Sequence, residues 1–349
     1  MFLYKKANLQ QFLKLRLKLV KMKQTAERFI EVMDPRKNGK EFRTSIGGQA
    51  LIEGIMMRGP KKIAIVVRTK DELVSKVENL KLVKDKYPIL GFVFIRGVVN
   101  FANSLSVGMR SLMYSAEQIP EEEQEEEEQS KFWKWLDKKL GSKTAERVFI
   151  TFGVILGIAL SIGLFIILPT LLAGLLSDFI ENRIVRNLVE GLFRIVIFLS
   201  YMWFATRMNT MKRVWAYHGA EHKAIYCYEK GLPLTVENVK EQSRFHPRCG
   251  TSFLFIVMIT SIFVFSFTSS DNVWIRVGLR LAFLPAVVAI SYEIIRFAGR
   301  YDNLITAVIS APGKLLQKLT TREPDDEMIE VAIEAIVNVI PENAAEAKW

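Results

Sequence analysis

The chain has 349 residues, half of them hydrophobic, and carries a formal net charge of +11. This length allows two or three folding units, while two cysteines are too few for the framework of a small disulfide-rich secreted protein. The basic charge suits either nucleic acid or an anionic membrane surface. Long apolar runs and the absence of any nucleic-acid recognition motif favour membrane lipid as the partner and exclude nucleic acid.

Residues 1–40 are predicted to form a basic tail, because no acidic residue precedes Glu27. Within this tail, Leu13–Leu19 alternates leucine with lysine or arginine. Such alternation is typical of a strand or of a basic segment lying on anionic lipid headgroups, and a disordered tail is the alternative. No signal peptide is predicted, because no apolar core follows the basic residues.

Residues 41–118 are predicted to form a cytoplasmic α+β segment. Glycine-punctuated apolar residues at 47–60 and the β-branched-rich run 62–68 indicate a small antiparallel sheet that also includes residues 73–77. Residues 88–118 are apolar but interrupted by arginine and asparagine, which are costly in lipid. We therefore predict one long amphipathic helix, packed on the sheet or lying at the membrane interface, with a true span as the alternative.

An acidic linker is predicted over residues 119–146, because the glutamate-rich block Glu121–Glu128 repels itself and cannot form a packed core. Four apolar runs follow, and each is predicted to cross the membrane as a helix. The predicted spans are residues 148–168, 188–206, 252–268 and 277–297. The second span carries Glu190 and Arg194, an i, i+4 pair whose charges can neutralise each other.

The loop between the second and third spans, residues 207–250, holds eight lysine or arginine residues. The flanks on the opposite side, residues 177–187 and 269–276, hold three in total. By the positive-inside rule the long loop is cytoplasmic, and so are both termini of the chain. The membrane region is thus residues 147–299, with four spans and one long cytoplasmic loop.

Residues 300–349 are predicted to form cytoplasmic helices. Residues 304–319 suit an amphipathic membrane-surface helix, and a last helix is predicted over residues 327–339, after a capping region. The predicted fold class is therefore an α+β membrane protein: four transmembrane helices with a small cytoplasmic β-sheet and amphipathic-helix domain.

The candidate site is the segment Tyr217–Lys223 (YHGAEHK), on a helix predicted over residues 211–228. Helical spacing puts His218, Glu221 and His222 on one face. Two imidazoles at this spacing can bind one zinc ion with the carboxylate as general base, and the order His-x-x-Glu-His is the inverted zincin pattern. The alternative is that the two histidines are only interfacial or hydrogen-bonded residues.

Three residues are candidates for the remaining metal ligands. All the histidines and cysteines of the chain lie between residues 218 and 249, which brings two of these candidates close to the motif in sequence. His246 would complete a three-histidine site with an open position for water, whereas adding Cys249 would close a four-ligand structural site. Glu293, near the cytoplasmic end of the fourth span, is the other candidate. An ion pair of Glu293 with Arg296 or Arg300 is the alternative to ligation.

Two functional hypotheses follow from this motif. In the first, the ion lowers the pKa of bound water towards about 7, Glu221 takes the proton, and the hydroxide attacks a carbonyl or phosphoryl centre. The protein is then a zinc-dependent hydrolase at the cytoplasmic face, acting on a peptide, a membrane protein or a lipid-linked substrate. In the second, it is a non-enzymatic scaffold or lipid-handling protein with a structural His/Cys cluster. Cys227 is interpreted as a core residue.

Several blocks of the chain together resemble a known family. They are GGQALIEGIMMRGP at 47–60, Phe94–Gly97, Met113–Glu117, YHGAEHK at 217–223, LTVENV at 234–239, HPRCGTSF at 246–253, Ser291–Glu293 and LTTREPDD at 319–326. The chain resembles the YqhQ-like family of bacterial multi-pass membrane proteins, labelled a predicted metal-dependent enzyme. The resemblance implies a multi-pass protein of the bacterial inner or plasma membrane with a metal site, and it names no substrate.

The resemblance also draws attention to Glu53 and Arg58 in the first block. A sheet edge that carries them would cover the metal site and supply substrate contacts. The alternative for this block is a packing surface shaped by its glycines.

Overall fold

A computed structural model describes residues 43–80, 86–119, 142–176, 178–268, 270, 272–301 and 303–347. The predicted basic tail and most of the predicted acidic linker lie outside the described residues. The chain separates into two compact units, each built from discontinuous segments. In the described ranges, the first unit contains residues 43–80, 213–246 and 321–347, and the second contains the rest.

Within its described residues, the first unit contains a four-stranded antiparallel sheet with the strand order β1-β2-β3-β4. The strands are β1 (Gly47–Leu51), β2 (Gly54–Arg58), β3 (Lys62–Arg68) and β4 (Leu73–Asn79). The small antiparallel sheet predicted from the sequence is therefore confirmed. β1 and β4 form its two edges, and a two-residue turn joins β1 to β2, with Leu51 paired with Gly54.

The helices of the described residues follow in chain order. They are α1 (Ile95–Glu117), α2 (Ser142–Ile162), α3 (Leu168–Leu175), α4 (Arg183–Ala205), α5 (Asn209–Glu229), α6 (Val236–Lys240), α7 (Gly250–Ser266), α8 (Val273–Arg300), α9 (Leu304–Thr320) and α10 (Asp326–Val337). A π-helical turn, Gly163–Ile167, connects α2 to α3, and 3₁₀ turns occupy Pro88–Gly91 and Ala344–Ala347.

The core of the first unit lies between one face of the sheet and the helices α5 and α10. Ile55 and Met57 of β2 are fully buried there. Apolar residues at helical spacing on α10 are buried there too: Met328, Val331, Ala332, Ala335 and Ile336. Asp325 caps this helix by accepting a hydrogen bond from the Met328 N–H at 2.8 Å. Each large aliphatic side chain buried in this way stabilises the unit by about 1.5–3 kcal/mol.

The segment that precedes α10 passes very close to α5. The Arg322 N–H donates to the Trp215 carbonyl at 2.8 Å, and Lys223 Nζ lies 2.9 Å from a carboxylate oxygen of Glu323. A Cβ built on Gly219 would lie only 2.0 Å from the Arg322 carbonyl oxygen. Glycine at position 219, between the two histidines, therefore permits the backbone of this segment to approach the helix.

The second unit is helical in its described residues, and three stretches of it are long and apolar enough to cross a membrane. By length and composition these are Ile150–Leu175, Arg183–Ala205 and Val273–Arg300, which correspond to the first, second and fourth predicted spans. α7, which corresponds to the third predicted span, is a shorter apolar helix of 17 residues. The helix predicted within residues 88–118 is α1, and it packs against α8.

A buried polar network connects two helices of the second unit around Glu190. Arg194 Nη2 lies 3.0 Å from Glu190 Oε1, as the i, i+4 spacing predicts. Arg280 of α8 adds a bidentate contact, with Nε 3.0 Å from Oε1 and Nη2 3.1 Å from Oε2. Its Nη1 also donates to the Thr268 carbonyl at 3.0 Å. Buried charged side chains need such partners, so this network fixes α4 against α8.

Candidate metal centre

The histidine motif lies on α5, and its three side chains are buried. Helical spacing places His218, Glu221 and His222 on one face, and the exposed fraction of His222 is only 1%. The ring centroids of His218 and His222 are 4.4 Å apart. One ring nitrogen of each lies within 4.8 Å of the other. The arrangement predicted for the motif is thus present on the helix, with two imidazoles close enough to share one ion.

The two ring nitrogens of His222 have different surroundings. Nδ1 lies 2.5 Å from the Arg244 carbonyl oxygen. A carbonyl oxygen only accepts hydrogen bonds, so Nδ1 is the donor, and in the neutral ring the lone pair is on Nε2. Nε2 is buried and has no hydrogen-bond partner in the part of the chain that the structure describes. Leaving such an acceptor unpaired costs about 1–3 kcal/mol, and a metal ion would engage it.

The carbonyl that orients His222 is itself held in place. The Arg244 guanidinium donates to the Thr321 carbonyl at 2.8 Å, and its Nε lies 3.4 Å from Glu323. A histidine whose Nδ1–H is fixed by a carbonyl while Nε2 points elsewhere has the arrangement that proteins use to orient metal-binding imidazoles. Sequence reasoning missed Arg244, because a backbone carbonyl leaves no signature in residue type.

His246 lies beside the motif, on the loop after α6. Its ring centroid is 5.6 Å from that of His222 and 4.7 Å from that of Tyr226. Its Nε2 is 3.5 Å from Glu229 Oε2, and Glu229 Oε1 accepts from the Thr44 N–H at 2.8 Å. Glu229 was missed from sequence, although a signal existed: it lies seven residues after His222, two turns further along the same helix face.

Cys249 belongs to the second unit and lies three residues after His246 in the chain. It caps the start of α7, where its sulfur accepts a hydrogen bond from the Thr251 N–H at 3.4 Å. Its role as a metal ligand stays a prediction.

Glu293 also belongs to the second unit, on α8. Its carboxylate accepts two hydrogen bonds from Arg96 of α1, at 2.7 Å from Nε and 2.5 Å from Nη2. The ion pair considered for Glu293 is therefore present, but its hydrogen-bonded partner is Arg96 and not Arg296 or Arg300. Metal ligation by Glu293 stays a prediction, and it requires the carboxylate to leave this guanidinium.

Glu53, at the turn between β1 and β2, contacts α5 at Arg213 and Tyr217. Its carboxylate accepts two hydrogen bonds from Arg213, one of them at 2.5 Å from Nη2, and one from the Tyr217 hydroxyl at 3.1 Å. Burial, followed by the nearby Glu53 carboxylate, raises the pKa of Tyr217, which keeps the phenol protonated. Arg58 ends β2 opposite Gly47.

The segment from Thr44 to Glu53 runs antiparallel to α5 along most of the helix. Thr44 contacts Glu229 at one end, and Glu53 contacts Arg213 at the other. Between them, a Cβ built on Gly48 would lie 3.1 Å from the carboxyl carbon of Glu221. β1 therefore passes directly beside the motif carboxylate, and glycine at position 48 leaves the room for it.

Cys227 lies in the core of the first unit, as predicted, and is fully buried. Burial raises the pKa of its thiol to about 12, and the sulfur lies 3.5 Å from the Pro233 carbonyl oxygen. A thiol in these surroundings is unreactive at neutral pH, because the thiolate is the nucleophilic form.

Comparison with known proteins gives a family for most of the chain. Residues 92–342 match a family described as "Protein of unknown function (DUF1385)". This chain belongs to that family. It is also 34% identical over 299 residues to "Uncharacterized protein YqhQ" of Bacillus subtilis (strain 168). The aligned residues make up 83% of this chain and 90% of that protein. No solved structure matches the chain.

The resemblance drawn from the sequence blocks is thus confirmed. The DUF1385 match includes the motif helix, His246 and α10, while the strands of the sheet precede it. Neither description names an enzyme or a metal, so the predicted label of metal-dependent enzyme gains no support from them.

Proposed function

We propose that this DUF1385 protein is a metal-dependent hydrolase of the zinc type at the cytoplasmic face of the bacterial cell membrane. One observation carries the proposal: the Nε2 of His222 is buried without a hydrogen-bond partner among the described residues, in a ring that the Arg244 carbonyl orients. His218 lies beside that ring, and Glu221 shares their helix face. A buried lone pair next to a second imidazole and a carboxylate suits a divalent cation better than a core contact.

In this proposal His218 and His222 are two protein ligands of the ion, and the proposed third is His246, which belongs to the same unit and whose ring centroid lies 5.6 Å from that of His222. Imidazole nitrogens suit zinc, and three protein ligands leave a position for water. Cys249 and Glu293 are the alternatives that the sequence supplies. Ligation by Cys249 in addition to the histidines would close the site and make it structural.

A bound zinc ion would supply a Lewis acid that lowers the pKa of water and polarises the substrate. Glu221 is the proposed general base, which takes a proton from the attacking water and delivers it to the leaving group. The Arg244 carbonyl keeps the His222 ring in one tautomer. Burial of these side chains excludes bulk water and strengthens each electrostatic contact at the site.

Four spans are proposed: α2 continuing into α3, then α4, α7 and α8. Chain connectivity supports this count. Residues 213–246 and 321–347 pack within one unit, and the Arg322 N–H donates to the Trp215 carbonyl, so both segments lie on one side of a membrane. The chain between them must cross an even number of times. Since α8 is long enough to cross, one more helix of this stretch has to cross with it. α7 is the apolar candidate, and its length of about 25 Å needs only local thinning of the bilayer.

The same reasoning applies to residues 82–212, which belong to the second unit and connect the sheet to the motif helix, both of them in the first unit. They contain two candidate spans among their described residues, which is already an even number of crossings. A crossing by α1 would make the number odd, so α1 is not proposed as a span. The positive charge of residues 207–250 favours a cytoplasmic position for the first unit, and hence for both termini. α9 has exposed apolar side chains, including Leu304 and Val308, together with lysines, which suits a surface helix among anionic lipid headgroups.

The test is metal analysis of the purified full-length protein in lipid nanodiscs, together with cleavage of denatured casein. Glu221→Gln is expected to keep the metal and lose at least about 100-fold in rate, because a general base contributes a factor of that order. His222→Ala is expected to lose both metal and activity. Glu241→Gln removes an exposed carboxylate of the same unit and should change neither.

A wild-type protein without stoichiometric metal would end the hydrolase proposal. Metal that depends equally on His218, His222, His246 and Cys249, in a protein that cleaves nothing, would instead establish the structural site of the second hypothesis.

A further inference from the structure

The outer edge of β1 has no partner strand among the residues that the structure describes. This edge passes beside Glu221, with the segment from Thr44 to Glu53 antiparallel to the motif helix. An open strand edge is a row of backbone donors and acceptors that pairs with an extended polypeptide. Here the row runs beside the proposed general base.

The register of the sheet decides which backbone groups of β1 point outward. The Arg68 N–H donates to the Glu53 carbonyl, so alternate residues of β2 from Glu53 onward bond to β3. The backbone groups of the other residues of β2, namely Gly54, Met56 and Arg58, then bond to β1. The N–H and C=O groups of their partners on β1 therefore point towards β2. These partners are Leu51, Gln49 and Gly47.

Gly48 and Ala50 are therefore the residues of β1 whose N–H and C=O groups point outward. Neither residue forms a hydrogen bond through these groups with any described residue, and Gly48 is exposed. The two donor–acceptor pairs are spaced two residues apart, about 6.8 Å in a strand, which is the repeat of an extended peptide.

We propose that β1 binds an extended polypeptide segment as an added strand and presents one of its peptide bonds to Glu221, His218 and His222. This inference rests on the proposed function and names its substrate class as peptide. A lipid phosphate offers only acceptors and cannot satisfy the outward carbonyls of Gly48 and Ala50. A peptide backbone supplies donors and acceptors in alternation.

The reaction is then hydrolysis of a peptide bond. Water adds through its oxygen to the carbonyl carbon, and the carbon–nitrogen bond breaks. Glu221 carries a proton of the water to the departing nitrogen, and the products are a carboxylate and an amine. No oxidant or other co-reactant is consumed.

The binding test uses full-length Glu221→Gln protein in nanodiscs and fluorescent decapeptides tiled along β-casein, measured by anisotropy. Ala50→Pro removes one outward N–H without removing a hydrogen bond of the sheet. Ser75→Pro is the matched control, because the Thr69–Glu72 bond makes Ser75 an outward residue of β4. Ala50→Pro is expected to weaken binding by about fivefold to tenfold, as for one lost hydrogen bond, and Ser75→Pro by less than about twofold.

A second measurement leaves the protein unchanged. N-methylation of the tightest-binding decapeptide, one residue at a time, is expected to weaken binding at every second position, because alternate amides of an added strand face β1. Uniform sensitivity along the peptide would contradict strand addition, and so would the absence of binding by every tiled peptide.

The outcomes separate this inference from the hydrolase proposal. If the metal-loaded protein cleaves casein and Ala50→Pro has the same KM as Ser75→Pro, strand addition at β1 is wrong while the hydrolase stands. If peptides bind in a manner that Ala50→Pro weakens but the protein holds no metal, strand addition stands and the hydrolase is wrong.

Discussion

His222 is the residue whose surroundings say most about the site, because its two ring nitrogens differ in their hydrogen-bond partners. One donates to a backbone carbonyl at 2.5 Å, and the other is buried without a partner among the described residues. Sequence spacing identifies the histidine, since i, i+3 and i+4 positions share a helix face. It cannot identify the carbonyl, because every residue has one and only the fold decides which of them approaches the ring.

Glu53 occupies a backbone conformation that favours glycine, with φ +50°. A residue with a Cβ pays about 1–2 kcal/mol there, while the Glu53 carboxylate is needed for Arg213 and Tyr217. Both Glu53→Gly and Glu53→Ala remove the carboxylate, but only alanine keeps the backbone penalty. We expect the glycine variant to be more stable by about 1 kcal/mol, measured by denaturant unfolding. Equal stability of the two would contradict strain at this turn.

Cys227 gives a prediction with a definite pH dependence. Its folded-state pKa of about 12 lies above the ordinary value of about 8.5, so burial favours the neutral thiol. The associated stability is complete below about pH 8.5 and is lost as the pH rises towards the folded-state value. The unfolding free energy should therefore fall above that pH, and less steeply in Cys227→Ala.

Thiol labelling checks the same burial directly. At pH 8.5, mass spectrometry should find Cys227 unlabelled by iodoacetamide in the folded protein and labelled after unfolding. Comparable labelling rates in the two states would show that the thiol is not in the core.

At the scale of elements, the contact between α5 and the segment before α10 depends on Gly219. An added Cβ would lie 2.0 Å from the Arg322 carbonyl oxygen, so Gly219→Ala must push the segment away. We expect a loss of about 1–3 kcal/mol in unfolding free energy, and weaker metal binding because Thr321 anchors Arg244. Gly47→Ala is the control, since a Cβ there meets nothing within 4 Å, and it should leave both quantities nearly unchanged.

Local patterns predicted the elements well. The motif helix was predicted over residues 211–228 and is Asn209–Glu229, and the last helix was predicted over 327–339 and is Asp326–Val337. Hydrophobic periodicity, caps and stop signals act within one or two turns, so they mark where helices begin and end. They say nothing of which helix packs on which, and the assignment of α1 to α8 came only from the structure.

At the scale of the whole molecule, the proposed four spans place both ends of the first unit on the same side of the membrane. Cysteines introduced at Glu237 and Glu342, both exposed, should resist a membrane-impermeant maleimide in intact cells and react in inverted vesicles. A cysteine at Phe179, exposed between α3 and α4, should show the opposite pattern. Labelling of the first two from opposite sides would contradict the even number of crossings.

Long-range partners were the part of the fold that the sequence could not supply. Glu190 meets Arg280 across 90 residues, Glu53 meets Arg213 across 160, and Glu293 meets Arg96 across 197. Each carboxylate was noticed in the sequence, but the chain has many arginines, and sequence alone does not show which of them forms the ion pair. The i, i+4 partner of Glu190 was found because helix geometry limits the choice to a few neighbours.

The first unit is complete only when its last segment has been synthesised. The sheet and α5 cannot bury their apolar faces before α10 is made, about 100 residues after the motif helix, which takes about 5–20 s at usual synthesis rates. All of the membrane helices of the described chain are made before then. The apolar face of α5 is therefore covered only after every candidate span has been synthesised, because α10, which completes the core of the first unit, comes last.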